Sequence, residues 1–537
     1  MKFYFLVFIL SVLFLRSFAQ PAKPSLLYQF IENKLQQHIV FDEVALFSKK
    51  GSDNQYGTGI VSRYAVLSPD KVMLNKIFSG KKSGIKLSLN GEGSQVFTLL
   101  LAEEKINSSH DFFVSSIDQD GRKKTALDPG LHYRGYIQGD SASLACISIF
   151  SNGDVMGVFA GREGNFVLGK MKDKTDDYVL YNSDKMLLPP GYDCAADNLP
   201  QNNQYEQAIT TVTPVTTDVP TTLCRKVRFY WEADYNLYSY NFASNLANTQ
   251  NYLTGLFNIV ATLFQNEGII TELSQTAIWT STDPYATTGS SAALSSFKAL
   301  WNGAGDTFNG DLAHLIAGGT TNYGGIAYVL SSECNRFNAY AYSNVRGTYQ
   351  AFPSYTWDVS VVTHETGHNF GSKHTHWCGW NTSEGATCGA IDNCATVQAE
   401  GACTTCPATV EIAAPPAGFK GTIMSYCHLR SGIGISFANG FGPLPQAKIR
   451  SNISAATCLT TSNGWTGAVN TAWENSGNWS CGSIPTATTD VLIKAGVTNY
   501  PVISSPATCR SIKQAAGTTL KVNPAFTLMI AGPPSPQ

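Results

Sequence analysis

VVTHETGHNFGSKH, residues 361–374, sets His364 and His368 four residues apart. On a helix that spacing puts both imidazoles on one face, within reach of a single ion. Glu365, one step round, can hydrogen-bond a metal-bound water without being a ligand itself. Gly371 can take a positive φ and end the helix, so that the turned chain brings up His374 as a third ligand. Three neutral imidazoles leave the fourth position of a zinc ion open, which marks a catalytic site rather than a structural one. The expected chemistry is hydrolysis, with Glu365 taking a proton from the zinc-activated water as it attacks a peptide carbonyl and returning it to the leaving amine. Val361 and Val362 give the helix an apolar entry.

Either side of this helix the sequence reads as an α/β layer. Val227, Phe229 and Trp231 alternate as one strand face, and residues 244–266 carry helical spacing through Leu246, Leu253, Leu256, Val260 and Leu263. A strand over GIITELSQTAIWT, a helix near 290–302, strands at 311–317 and 325–331, and a helix over 357–371 complete the series. Residues 376–420 are rich in Cys, Gly and Ala and predict irregular chain held by disulfides.

Further out the texture changes. Lys2 followed by the apolar run Phe3–Leu15 and the small residues of Ser17-Phe18-Ala19 predicts a signal peptide over 1–19, hence a secreted protein. Residues 20–207 read as a cysteine-poor, β-rich propeptide, with alternation in Lys86-Leu87-Ser88-Leu89 and Val96-Phe97-Thr98-Leu99. A Thr/Pro tract at 208–222 predicts an exposed tether open to proteolysis. The catalytic domain is expected over 223–462. Residues 463–537 predict a small all-β C-terminal module, stapled by Cys481 and Cys509 and breaking off at the end of a strand. A net charge of −2 with 14% charged residues gives no reason to expect nucleic acid or an anionic membrane as partner, and no later segment is apolar enough to span a bilayer. Thirteen cysteines suit an oxidising compartment, and the odd total requires at least one outside an intrachain bridge.

HETGHNFGSKH resembles the zinc signature of the metzincin metalloproteases, and GTIMSYC, with Met424, resembles their Met-turn. DLAHLIAG, GGIAYVLSSEC and IITELSQTAIWTSTD resemble strands of the reprolysin (adamalysin) branch, and residues 132–161 are similar to its prodomain. The resemblance implies a mixed sheet, an active-site helix and a protein or peptide substrate bound antiparallel to an edge strand at Gly325, Ile326 and Ala327. It implies a Cys334–Cys458 disulfide. It also implies latency through a cysteine switch, for which Cys194 is the candidate unless it pairs with Cys146. Tyr426 stands where astacins and serralysins place a tyrosine that can contact the metal or the transition state; a tyrosine merely packed beneath the site is the alternative. Thr375 and His376 follow the third histidine where reprolysins usually have Asp. His376 reads as a surface or second-shell residue, and His314 as strand packing. Arg228 stands where a calcium-binding acid is expected, which counts against Ca²⁺ as a second metal. The competing reading is a secreted adhesion or binding protein with an inert peptidase-like domain; it predicts damage to the ligands or to Glu365, and the sequence has none. The partner of the C-terminal module is not legible.

Overall fold

The computed structural model describes residues 23–532 apart from 108–111, 173, 175, 188–193, 195–221, 304–307, 320–323, 330, 383–388, 399–409, 413–414 and 417. The expected signal peptide and nearly all of the expected tether lie outside the described residues.

The N-terminal unit has two α-helices, Leu26–Gln36 and Lys71–Gly80, with a ten-stranded sheet. Its outer strands alternate as their sequences do. In Gly84–Asn90, Ile85, Leu87 and Leu89 are buried while Ser88 is exposed. Its central strands, Leu144–Ile149 and Val155–Gly161, are buried on both faces. The two-residue period still operates there, because alternate side chains enter different cores. Ala145, Ile147, Val155 and Phe159 fill the unit's own core, whereas Leu144, Cys146, Met156 and Val158 join the core that surrounds the long helix Leu246–Asn266. A helix covered on all sides needs no polar stripe, and this one is buried from Thr249 to Phe264.

That helix packs on a sheet in the order Gly325–Ala327, Tyr340–Asn344, Leu312–Ala317, Arg225–Ala233, Ile270–Trp279. The last four strands are parallel, and Gly325–Ala327 runs antiparallel at the edge. The expected strand at 325–331 stops at Ala327. The strand Tyr340–Asn344 was not anticipated. All five of its residues are buried, so it lacks the alternation by which strands are found in sequence. Beyond Ile270–Trp279 the sheet continues into a hairpin of the N-terminal unit, Phe113–Asp118 and Gly121–Thr125.

The C-terminal residues are also strand-rich, but their pairing is parallel. Thr460–Trp465 joins Arg225 and Lys226 to Thr489–Ile493, which pairs with Ser511–Gln514. Val502–Ile503 pairs with Lys521–Val522, and Ala507–Cys509 with Leu528–Ile530, so two successive coils stack as in a β-solenoid. Trp465, Trp473 and Trp479 form the core at its base. The expected Cys481–Cys509 staple is not made. Cys481 bonds Cys224, just before the strand Arg225–Ala233, while Cys509 is a buried thiol inside the coil. The junction is charged as well as covalent: fully buried Lys226 sits 2.9 Å from Glu272 and 2.5 Å from Asp490. Among the described residues, no helix is long and apolar enough to cross a membrane.

Candidate active site

The helix Tyr355–Asn369 carries His364 and His368, and Gly371 follows it at φ 86°, as its predicted role as terminator requires. The turned chain delivers His374 to the same point. Its Nε2 lies 3.1 Å from the Nε2 of His364 and 3.1 Å from that of His368. Each ring is aimed by an acceptor behind it. Nδ1 of His364 faces the carbonyl of Ile423 at 2.8 Å, Nδ1 of His368 faces that of Ser372 at 2.8 Å, and Nδ1 of His374 faces Oε1 of Gln398 at 3.1 Å. A proton held on each Nδ1 leaves three Nε2 lone pairs converging in a buried space. Burial and the two neighbouring imidazoles push His364 well below the usual histidine range, so protonation does not relieve the crowding.

This donor set fits zinc. Three nitrogens at about 2.0–2.1 Å from a tetrahedral ion lie roughly 3.3 Å apart, close to the spacing here. Converging neutral nitrogens are what a divalent cation satisfies and a proton cannot.

The Met-turn supports the site from below. Met424 is fully buried, and its sulfur lies 2.6 Å from where a β-carbon on Gly367 would sit, so only glycine allows that approach. Thr375 N–H donates to the Met424 carbonyl at 3.1 Å, and the Cys394–Cys427 disulfide ties the Met-turn to the segment bearing Gln398. Gln398 escaped sequence reasoning, because a single amide in an irregular Cys-rich stretch carries no periodic signal.

Glu365 is buried beside the ligands and next to the edge strand. A β-carbon on Gly325 would come within 2.3 Å of Glu365 Oε1, so the strand can pass the carboxylate this closely only as glycine. Ile326 and Ala327 continue that strand, which among the described residues pairs with Tyr340–Asn344. Cys194 also reaches this point: its Sγ lies 3.5 Å from His368 Nε2 and 3.6 Å from Glu365 Oε2. One ligand atom each from Cys194, His364, His368 and His374 falls within 4.8 Å of all the others. Cys146 and Cys194 are both thiols, and Cys146 is buried against the Val158 carbonyl.

Tyr426 lies over the histidines, its ring 4.8 Å from that of His374, and its hydroxyl donates to the Cys194 carbonyl. His376 is buried rather than on the surface, stacked on His374 at 4.9 Å with the rings nearly parallel. His314 is also buried, 2.9 Å from Ser343 Oγ, and burial alone pushes its pKa to about 3. The Arg228 guanidinium donates to Asn309 Oδ1 at 2.9 Å, and its main-chain N–H donates to Asp311 Oδ2 at 2.8 Å. Cys334 and Cys458 form the expected disulfide.

Residues 464–533 match a domain of unknown function (DUF8693). No curated protein matches. Among solved structures, the crystal structure of metalloproteinase-II from Bacteroides fragilis aligns with a TM-score of 0.30 and 14% identity, over 63% of this chain and 89% of that one. The remaining match is to the reprolysin-type model of metallo-peptidase family M12, and it runs from Cys224 to Cys427, taking in the strands, the histidine helix and the Met-turn. Over residues 224–427 this chain is similar to metallo-peptidase family M12.

Proposed function

We propose that the chain is a secreted, zinc-dependent endopeptidase made as a latent precursor. The observation that carries this reading is the convergence of His364, His368 and His374 Nε2 beside Glu365, with an open sheet edge at Gly325 running past that carboxylate. His364, His368 and His374 would hold the ion. When bound, zinc supplies a Lewis acid that polarises the scissile carbonyl and acidifies the attacking water. Glu365 accepts that water's proton and passes it to the leaving amine. Gly325, Ile326 and Ala327 align an extended substrate by main-chain pairing, which places its carbonyl at the metal without demanding a particular side chain. Tyr426 is suited to donate to the oxyanion as it forms.

Latency follows from Cys194. The Cys194 sulfur, 3.5 Å from His368 Nε2, sits where, once deprotonated, it would take a bound ion's open position and exclude water from Glu365. Secretion fits the oxidised Cys224–Cys481, Cys334–Cys458 and Cys394–Cys427 pairs. Calcium forms no part of the proposal. The inert-binder reading would need a broken ligand set, and the ligand set is intact.

The test is Glu365→Gln in the mature enzyme. The variant should bind one zinc per chain and lose at least about 1,000-fold in peptide cleavage. Unchanged turnover would remove Glu365 from the mechanism, and metal-free protein with full activity would remove the whole proposal.

A further inference from the structure

We propose that the N-terminal unit stays bound as a structural partner of the peptidase domain after the chain is cut, and that activation needs only the loss of the Cys194 segment. The activation half rests on the peptidase reading above; the retention half does not. Faces between domains that move freely are small and polar. This one is neither.

Its strand Phe113–Asp118 extends the catalytic sheet, pairing in parallel with Gln275–Trp279 over five residues. Main-chain bonds fix both ends of that ladder, from Leu273 N to Ile106 O and from Thr280 N to Ile117 O, each 2.8 Å. The hairpin then places Arg122 over the Trp301 ring at 4.6 Å, with the Tyr230 hydroxyl within 3.4 Å. Tyr230 in turn donates to the buried carboxylate of Glu232. Exposed Arg122 thus caps, from the N-terminal unit, a tyrosine–glutamate pair buried in the peptidase domain.

The long helix is shaped to the unit. Gly255 lies in mid-helix, a position that costs stability, and a β-carbon there would meet Met156 Sδ at 2.7 Å and Phe150 Cζ at 3.2 Å. Fully buried Asn258 accepts from Arg134 Nε at 2.9 Å and donates to Ser148 Oγ at 3.1 Å. Leu144, Phe150, Met156 and Val158 belong to the same continuous core as the helix and the catalytic sheet. One shared core and one shared sheet describe an obligate interface.

The unit also touches the site's supports. Asn165 is buried and bonds both ways to the chain after the Met-turn, donating to Ile435 O at 2.8 Å and accepting from Phe437 N at 2.9 Å. The Tyr181 hydroxyl donates to Pro353 O, just before the histidine helix. Losing the unit would loosen the platform beneath the ligands.

The experiment uses the full chain with a recognition sequence for a specific protease placed within residues 208–222, and a second variant with a further site before Cys194. After the single cut, both chains should elute together in size-exclusion chromatography at micromolar concentration, with activity still low. After the double cut, the Cys194 peptide should be released, activity should rise at least tenfold, and the N-terminal chain should still co-elute. Arg122→Ala with Val114→Asp should let that chain separate after the same cut. An N-terminal chain that elutes alone while residues 223–537 remain folded would overturn the proposal, as would activity confined to fractions lacking it. Co-elution with no cleavage of any peptide would support retention and count against the peptidase reading instead.

Discussion

The hydroxyl of Tyr426 donates to the carbonyl oxygen of Cys194 at 3.0 Å, joining positions 232 residues apart. The same tyrosine packs on the His374 ring, so one side chain touches both the histidine cluster and the Cys194 segment. If Cys194 departs, that donor is released at the place where a tetrahedral oxyanion would form. A single group could then stabilise the latent state and, later, the transition state.

Tyr426→Phe separates these uses. In the mature enzyme the loss of one hydrogen bond to a developing charge should lower kcat by roughly 10–100-fold with little change in KM. In the uncut chain the same substitution should make the precursor leakier, because the Cys194 segment loses its anchor. Steady-state kinetics on both forms check this; a tyrosine that only packs would leave kcat within about twofold.

Cys194→Ala should give an uncut chain that already hydrolyses peptides. Cys194 Sγ lies within 4 Å of both His368 and Glu365, so on the proposed mechanism its removal would open the metal position and the base together. We expect the uncut variant to reach at least a tenth of the mature rate, measured alongside an uncut chain with Cys194 intact. Equal, low rates in the two would show that latency has another source.

Gln398→Leu tests the amide behind His374. Loss of the acceptor that orients a ligand typically weakens zinc binding by about 10–100-fold. Competition against a chelator of known affinity should register that loss, while the thermal midpoint of the metal-free protein changes little.

The parts of this molecule legible in sequence are those set by short spacing. His364 and His368 share a face because the helix repeats every 3.6 residues, and Gly371 stops that helix because glycine tolerates φ 86°. The alternation around Leu87 predicts its strand for the same reason. What escaped depends on partners distant in sequence. Tyr340–Asn344 lies inside a sheet with both faces covered, so its composition has no period to detect. Phe113–Asp118 reads as one more strand of its own unit, and nothing local says that it pairs with Ile270–Trp279. Cys481 and Cys509 are close in sequence, yet burial of Cys509 within the coil and the approach of Arg225–Lys226 to Thr460–Thr461 send Cys481 to Cys224. Cys194 was singled out through family resemblance, since nothing near it in sequence points to the histidines.

The last prediction concerns pH. Glu267, at the end of the long helix, accepts from Phe441 N at 3.0 Å and from the Gln446 amide, which pins the chain that runs on from the Met-turn. Burial outweighs those donors and raises its pKa to about 7. Asp358, at the start of the histidine helix, is raised to about 6, and burial is again the dominant cause. The direction is the reverse of a salt-bridged carboxylate. The folded state holds these protons more tightly than the unfolded chain, where a glutamate titrates near 4.5. The stabilisation is therefore complete below the unfolded values, 4.5 for Glu267 and 3.8 for Asp358, and is lost as pH rises through about 6 and 7. For Glu267 alone the full difference is roughly 3 kcal/mol. Thermal unfolding should be followed in chelator, so that zinc and its pH-dependent binding do not contribute. The wild-type midpoint should be higher at pH 5 than at pH 8, and Glu267→Gln should flatten that slope by removing the larger titration. A midpoint that rises steadily from pH 5 to pH 8 in both proteins would mean that Glu267 is ionised in the fold and held by its donors rather than by its proton.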